Sequence, residues 1–189
     1  MSGWWLASYV ILWVLVVVLA ILVLALARQV GTLHLRLGPR GALEVDGEGP
    51  PLGEAPEPAD ASDLGGRTIT VGGPGQAQLV LFVSPGCPVC REVLPSLPAA
   101  ARVGKMAPVV VVDASEPEAR GLYGADRLEA PVVAAEGLAE RYGIPGTPYA
   151  VALDVLGVVR AKGTVNNLEQ MEGLVDTARR RLEEAVRPS

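Results

Sequence analysis

The sequence predicts an α/β domain, a mixed sheet with helices on both faces, preceded by one N-terminal transmembrane helix. Three observations carry that prediction. Trp4 to Ala27 contains no charged residue. The apolar run Leu79-Val80-Leu81-Phe82-Val83 leads into Ser84-Pro85-Gly86-Cys87-Pro88-Val89-Cys90, and then into the helix-like Arg91-Glu92-Val93-Leu94. Downstream, strand-like and helix-like runs alternate and close on a hairpin and an amphipathic helix. Parallel neighbours in such a sheet need crossover helices, whereas the hairpin supplies antiparallel ones.

The chain has 189 residues, 50% of them apolar, and a net charge of −5. That suits one domain of ordinary size plus an appendage. The acidic balance argues against nucleic acid as a partner. All three tryptophans lie at Trp4, Trp5 and Trp13, so the soluble core must be built from Val, Leu, Ala and Ile.

In chain order, residues 1–30 read as a membrane anchor. At about 1.5 Å per residue, Trp4–Ala27 makes a helix of about 36 Å, enough to cross a hydrocarbon layer of about 30 Å. Trp4, Trp5 and Tyr9 suit an interfacial belt. The rival is a cleavable signal, since Ala25-Leu26-Ala27 has the small-x-small form. It lacks a basic leader, and its apolar stretch exceeds the usual length. Thr32 to Leu37 alternates, as a short strand or a continuation of the helix, and His34 there reads as solvated rather than as a ligand. Residues 31–66 read as a linker: Gly38 to Gly66 holds seven glycines, five prolines and seven acids. Such composition predicts a flexible tether without a core.

The domain is expected over 67–189. Arg67–Val71 alternates as a strand, and Gln78–Val83 suits a sheet centre. The helix from Pro88 to about Val103 should kink or break at Pro95, and Pro98 implies the same. Pro108–Asp113 reads as a buried strand, followed by a helix capped by Ser115 with Pro117 in its first turn. Pro131-Val132-Val133 is a short strand and Glu136–Tyr142 a short helix. Gly143 to Pro148 is too proline-rich for either. Tyr149–Asp154 and Val158–Lys162 form a hairpin turning at Leu156-Gly157. Asn166 opens the last helix, with Glu169 completing a capping box. Leu168, Met171, Leu174, Val175, Ala178 and Leu182 form its apolar stripe.

Cys87 and Cys90 are the only cysteines. Three residues apart at a helix start, they face the same way and lie close enough to bridge. The unpaired N–H groups and the positive end of the helix dipole favour a thiolate at Cys87. Such cysteines have pKa values of roughly 3.5–7.5, which makes sulfur an attacking group near neutral pH. The pattern therefore points to thiol–disulfide chemistry. Two other readings stand beside it, small buried hydrophobes or half of a metal site. A four-thiolate zinc site needs a second pair that this chain lacks, and no metal and no other cofactor is expected.

Strand-Cys87-Pro88-Val89-Cys90-helix, then Arg141-Tyr142-Gly143-Ile144, a loop ending Thr147-Pro148, and the hairpin together resemble the thioredoxin-like fold over about Arg67 to Arg181. The resemblance implies a cis Thr147–Pro148 bond beside the cysteines. It also implies a substrate groove shaped by Thr147, Pro148, Pro88 and Val89, where a client chain pairs as an added strand. The likeness is incomplete: ordinary thioredoxins have a tryptophan at the position of Gly86 and a buried acid at that of Leu81.

A narrower likeness rests on Gly38-Pro39-Arg40-Gly41-Ala42-Leu43, Phe82 to Cys90, Thr147-Pro148-Tyr149-Ala150-Val151, and Gly157 to Gly163 with Val165-Asn166. These pieces resemble the MauD family of methylamine utilisation, membrane-anchored proteins needed to mature methylamine dehydrogenase, whose small subunit is rich in disulfides. The resemblance implies a cysteine-containing client (that small subunit), a membrane redox partner, and a domain on the extracytoplasmic, periplasmic side of the bilayer. Arg28, Arg36 and Arg40 after the anchor argue for the opposite orientation. On this resemblance Cys87 is the sulfur that attacks or is attacked, and Cys90 resolves the mixed disulfide. Three alternatives remain: a reductant for apocytochrome c or other secreted clients, a copper chaperone, and a docking scaffold with an idle motif. Thioredoxin-like copper chaperones space their cysteines by three residues and add a distal histidine, which this domain lacks.

Overall fold

The computed structural model describes residues 3–36, 44, 45, 47–124 and 128–186. It divides the chain into two units, the first ending at Gly38. The first is one helix, α1 (Gly3–Arg36), whose stretch Gly3–Val23 is long and apolar enough to cross a membrane. The alternating Thr32–Arg36 continues this helix rather than forming a strand. No proline interrupts it, and one glycine does not stop a helix. The side chain of His34 and the whole of 38–43, with its share of the linker and of the family likeness, lie outside what is described.

The second unit is built on a five-stranded sheet of order β5-β4-β3-β6-β7. Its centre is β3 (Gln78–Val83), parallel to β4 (Ala107–Val112) and antiparallel to β6 (Tyr149–Leu153). At one edge, β5 (Val132–Ala134) runs parallel to β4. At the other, β7 (Val159–Thr164) completes the hairpin with β6. The turn needs Gly157: its φ is +79°, and a Cβ there would stand 2.7 Å from the Gly73 carbonyl oxygen. A separate ribbon pairs β1 (Ala59–Ser62) with β2 (Thr68–Val71).

Strand side chains alternate between two faces. On one, Leu79, Leu81, Val83, Val110, Val112, Ala150 and Ala152 meet four helices. These are α2 (Pro88–Val93), α3 (Leu97–Gly104), α4 (Glu116–Tyr123) and α6 (Leu168–Val186). On the other, Val80, Phe82, Val109, Val111, Tyr149, Val151 and Leu153 meet α5 (Leu138–Arg141) and residues of the β1–β2 ribbon. Helices on both faces are as predicted.

Local corrections follow from proline and cap chemistry. The break at Pro95 is present, as a 3₁₀ turn (Leu94–Ser96) between α2 and α3. Pro98 starts α3 rather than breaking it, because a first-turn position has no helical N–H to lose. Ser115 precedes α4, but its hydroxyl makes no capping bond. The last cap lies one residue later than read: Asn167 Oδ1 accepts from Gln170 N–H at 2.9 Å, and Gln170 Oε1 accepts from Asn166 N–H at 2.6 Å. Within the stripe of α6, Met171, Leu174, Val175 and Ala178 are buried, whereas Leu168 and Leu182 lie at its exposed margins.

The larger correction concerns the linker of 31–66. From Glu44 onward its described residues belong to the domain. Leu64 is a core residue, and Ala59 of the ribbon packs into the core on the opposite face of the sheet. The segment is held through its backbone: Gly49 N–H donates to Gly143 C=O, Gly53 N–H to Val159 C=O, and Val159 N–H to Glu54 C=O, each at 2.9 Å. Composition misled because backbone pairing does not need apolar side chains.

Candidate active site

Strand β3, at the centre of the sheet, delivers the cysteine motif at its C-terminal end. Gly86 turns the chain with φ +74°, a left-handed backbone that a tryptophan would adopt only with strain. Cys87 then occupies the N-cap of α2 with extended backbone, and its Sγ accepts from Cys90 N–H at 3.2 Å. This is the place of a serine or aspartate cap, filled here by sulfur. Cys87 and Cys90 are joined as a disulfide, with Cα atoms 5.3 Å apart. Cys90 is wholly buried among Val93, Leu94 and the strand side chains, while Cys87 is half-exposed. A reagent from solvent therefore meets Cys87 first.

Sixty residues downstream in sequence, the Thr147–Pro148 bond is cis, as the resemblance implies. Pro148 is buried and Thr147 half-buried. The Thr147 carbonyl oxygen stands 3.8 Å from Cys87 Sγ. Pro88, the first residue of α2, is exposed, and Val89 is half-buried with part of its side chain against the core. The fold thus brings Thr147 to Cys87, and Pro88 and Val89 form the first turn of α2 that links the two cysteines.

Two residues at this junction were not singled out from sequence. The Ser84 hydroxyl shares a hydrogen bond of 2.7 Å with the Thr147 hydroxyl, and its carbonyl accepts from the Tyr123 phenol at 3.2 Å. Ser84 read only as a turn residue, and Tyr123 offered one signal, being an aromatic in an aromatic-poor chain. All three tyrosines of the domain donate to backbone carbonyls: Tyr123 to Ser84, Tyr142 to Glu57 and Val71, Tyr149 to Glu48. Burial raises each phenol's pKa, that of Tyr149 to about 12 with the help of Glu48 and Glu44, so all remain protonated donors near neutrality.

Where ordinary thioredoxins carry a buried acid, Leu81 is wholly buried in the core. The buried carboxylates among the described residues are bonded elsewhere. Asp63 accepts from Gly65 and Arg67, and Asp154 from Leu156, Val158 and Arg160.

No family model matches the chain. It is 36% identical over 183 residues to the methylamine utilization protein MauD of Methylobacillus flagellatus, covering 94% of this chain and 88% of that protein. To the MauD protein of Methylorubrum extorquens it is 38% identical over 176 residues, covering 90% and 84%. Among solved structures, the thioredoxin domain of a thiol-disulfide oxidoreductase from Bacteroides vulgatus aligns with a TM-score of 0.53 at 21% identity, over 72% of this chain and 99% of that one. That likeness shows the thioredoxin-like fold. With more than one residue in three shared along nearly the full length, the chain belongs to the MauD family of methylamine utilization proteins.

Proposed function

We propose that this chain is a membrane-anchored thiol–disulfide oxidoreductase, with Cys87 and Cys90 as its catalytic, redox-active pair. One observation carries the reading: a half-exposed sulfur at a helix N-cap is bonded to a buried sulfur and faces the carbonyl before a cis proline. In the oxidising direction, a client thiolate attacks Cys87 Sγ. The Cys87–Cys90 bond breaks, Cys90 leaves as a thiolate and takes a proton, and a mixed disulfide forms. A second client thiolate then attacks the client sulfur of that bond and releases Cys87. Two electrons and two protons pass from the client dithiol to the cysteine pair. The reductive direction is the same path reversed, with Cys87 attacking and Cys90 resolving. The N–H of Cys90 and the start of α2 stabilise the Cys87 thiolate in either direction. Thr147, Pro148, Pro88 and Val89 line the place where the client backbone lies.

The client is the disulfide-rich small subunit of methylamine dehydrogenase, and a membrane dithiol–disulfide partner restores the pair after each turnover. The apolar helix Gly3–Val23 supports the anchor, and family membership supports a domain on the extracytoplasmic side. Cys90→Ala in the producing cell should accumulate a mixed disulfide through Cys87, seen on non-reducing gels and identified by mass spectrometry. An adduct with an apocytochrome would reassign the client. Full maturation with no adduct would remove the two-cysteine mechanism. A membrane-impermeant maleimide applied to intact spheroplasts should label reduced Cys87, and protection until lysis would reverse the orientation.

A further inference from the structure

Ser84 is held three ways at the end of β3. Its carbonyl accepts from Cys87 N–H at 3.4 Å and from the Tyr123 phenol at 3.2 Å, and its hydroxyl pairs with Thr147 at 2.7 Å. Through this one residue the turn carrying Cys87, the helix α4 and the cis-proline loop meet. Resting on the thiol–disulfide reading above, we infer that Ser84 is a positioning residue. Its hydroxyl holds Thr147 so that the Thr147 carbonyl stands beside Cys87 Sγ, and thereby sets how readily that sulfur carries charge.

When the disulfide opens, Cys87 becomes either a thiol or a thiolate. The carbonyl oxygen is the negative end of a dipole, so its approach favours S–H and opposes S⁻. The Cys90 N–H and the start of α2 push the other way. The balance depends on the distance from sulfur to carbonyl, 3.8 Å here. Thr147 sits in a loop of two glycines and two prolines, Gly143-Ile144-Pro145-Gly146-Thr147-Pro148, and its hydroxyl is bonded across to Ser84. The titratable groups on the adjoining elements are Cys90, Arg91 and Glu92 on α2, Glu116, Glu118, Arg120 and Tyr123 on α4, and Asp113 after β4; Glu116 and Arg120 are paired with each other at 2.6 Å. Asp113 is engaged by Gly137 N–H at 2.9 Å. Tyr123 is a donor kept neutral by burial and directed at the Ser84 carbonyl, while the Thr147 carbonyl is the one 3.8 Å from the sulfur.

The test uses the full chain in detergent with Cys90→Ala, so that one thiol remains and alkylation by iodoacetamide against pH reports Cys87. Ser84→Ala should free the loop, draw the carbonyl off and lower the midpoint by about half a unit, roughly threefold in thiolate at a pH below it. Ser84→Thr and Thr147→Ser, which keep both hydroxyls, should hold the parent midpoint. Thr147→Val should shift it as Ser84→Ala does, and the double variant no further than either single, the mark of one shared interaction. With both cysteines present, Ser84→Ala should shift the equilibrium with glutathione in the same sense. A Ser84→Ala chain whose unfolding temperature is kept and whose midpoint does not move overturns the inference alone, as do additive shifts. A parent midpoint at the ordinary thiol value of about 8.5 overturns the reading of the site as well.

Discussion

The two faces of the sheet are covered by different kinds of chain. One is closed by amphipathic helices, whose Leu97, Met171, Leu174 and Val175 interlock with Leu79, Leu81 and the alanines of β6. The other is closed by α5 and by a segment rich in proline, glycine and acid, running from Glu44 to Val71. That segment contributes few large apolar groups. It is held by backbone pairs with Gly143 and Val159, by the Tyr142 and Tyr149 phenols, by Lys162 Nζ donating to the Glu48 carbonyl, and by Arg181 on the Glu44 carboxylate. A face can therefore be sealed in two ways: by apolar area, which needs periodicity, or by satisfying main-chain groups, which does not. The cysteine motif sits on the helical face, where burial of Cys90 comes with the packing.

Core truncation should test the helical face hardest. Leu174→Ala removes a wholly packed side chain between α6 and the sheet, and should cost about 2–5 kcal/mol in chemical denaturation. On the opposite face, Gly49→Ala is the matching challenge. Its φ is +68°, and the new Cβ would stand 2.6 Å from the Tyr149 hydroxyl oxygen. A left-handed alanine alone costs about 1–3 kcal/mol, and displacing Tyr149 adds to it. If Gly49→Ala leaves the unfolding midpoint unchanged, the segment is not a structural cover.

Tyr149→Phe sharpens the same point at lower cost. It removes one hydrogen bond to the Glu48 carbonyl, which Lys162 still serves, so a loss of about 1 kcal/mol is expected in the same experiment.

Acid should act through the two buried carboxylates of the turns. Burial pushes Asp63 and Asp154 upward. Bonds outweigh it and hold both below the usual carboxylate range: Arg67 and Gly65 on Asp63, Val158, Arg160 and Leu156 on Asp154. A carboxyl whose folded-state pKa is depressed stabilises the fold above its unfolded pKa of about 3.9, and loses that contribution as pH falls through the folded value. The unfolding temperature should be flat from neutrality to about pH 5 and fall below about pH 4, less steeply in Asp63→Asn. An equally steep fall in that variant would remove Asp63 from the account.

The smallest effect should be Glu44→Gln, which weakens the paired 2.9 Å contacts of Arg181. The pair is partly exposed and carries less than about 1 kcal/mol. A larger loss would mean that the segment is pinned by charge rather than by its backbone.

Residue order alone determined much of this protein. The apolar run after Trp4, the buried strand of β3, the break at Pro95 and the hairpin at Gly157 each follow from composition, period or backbone restriction, which are local properties. So does the placing of Cys87 at a helix start with Cys90 one turn deeper. The likeness to a known family added the cis bond at Pro148, which no local rule supplies. Tertiary structure alone decided the rest. It turned the segment after Glu44 from a tether into a cover, because its partners, Gly143, Tyr149, Val159 and Arg181, lie far along the chain, 101 residues away for Tyr149 and Glu48 and 137 for Arg181 and Glu44, and a backbone hydrogen bond leaves no mark on composition. It likewise joined Ser84 to Thr147 and Tyr123, since the meeting of three chain segments at one sulfur depends on how the strands are ordered.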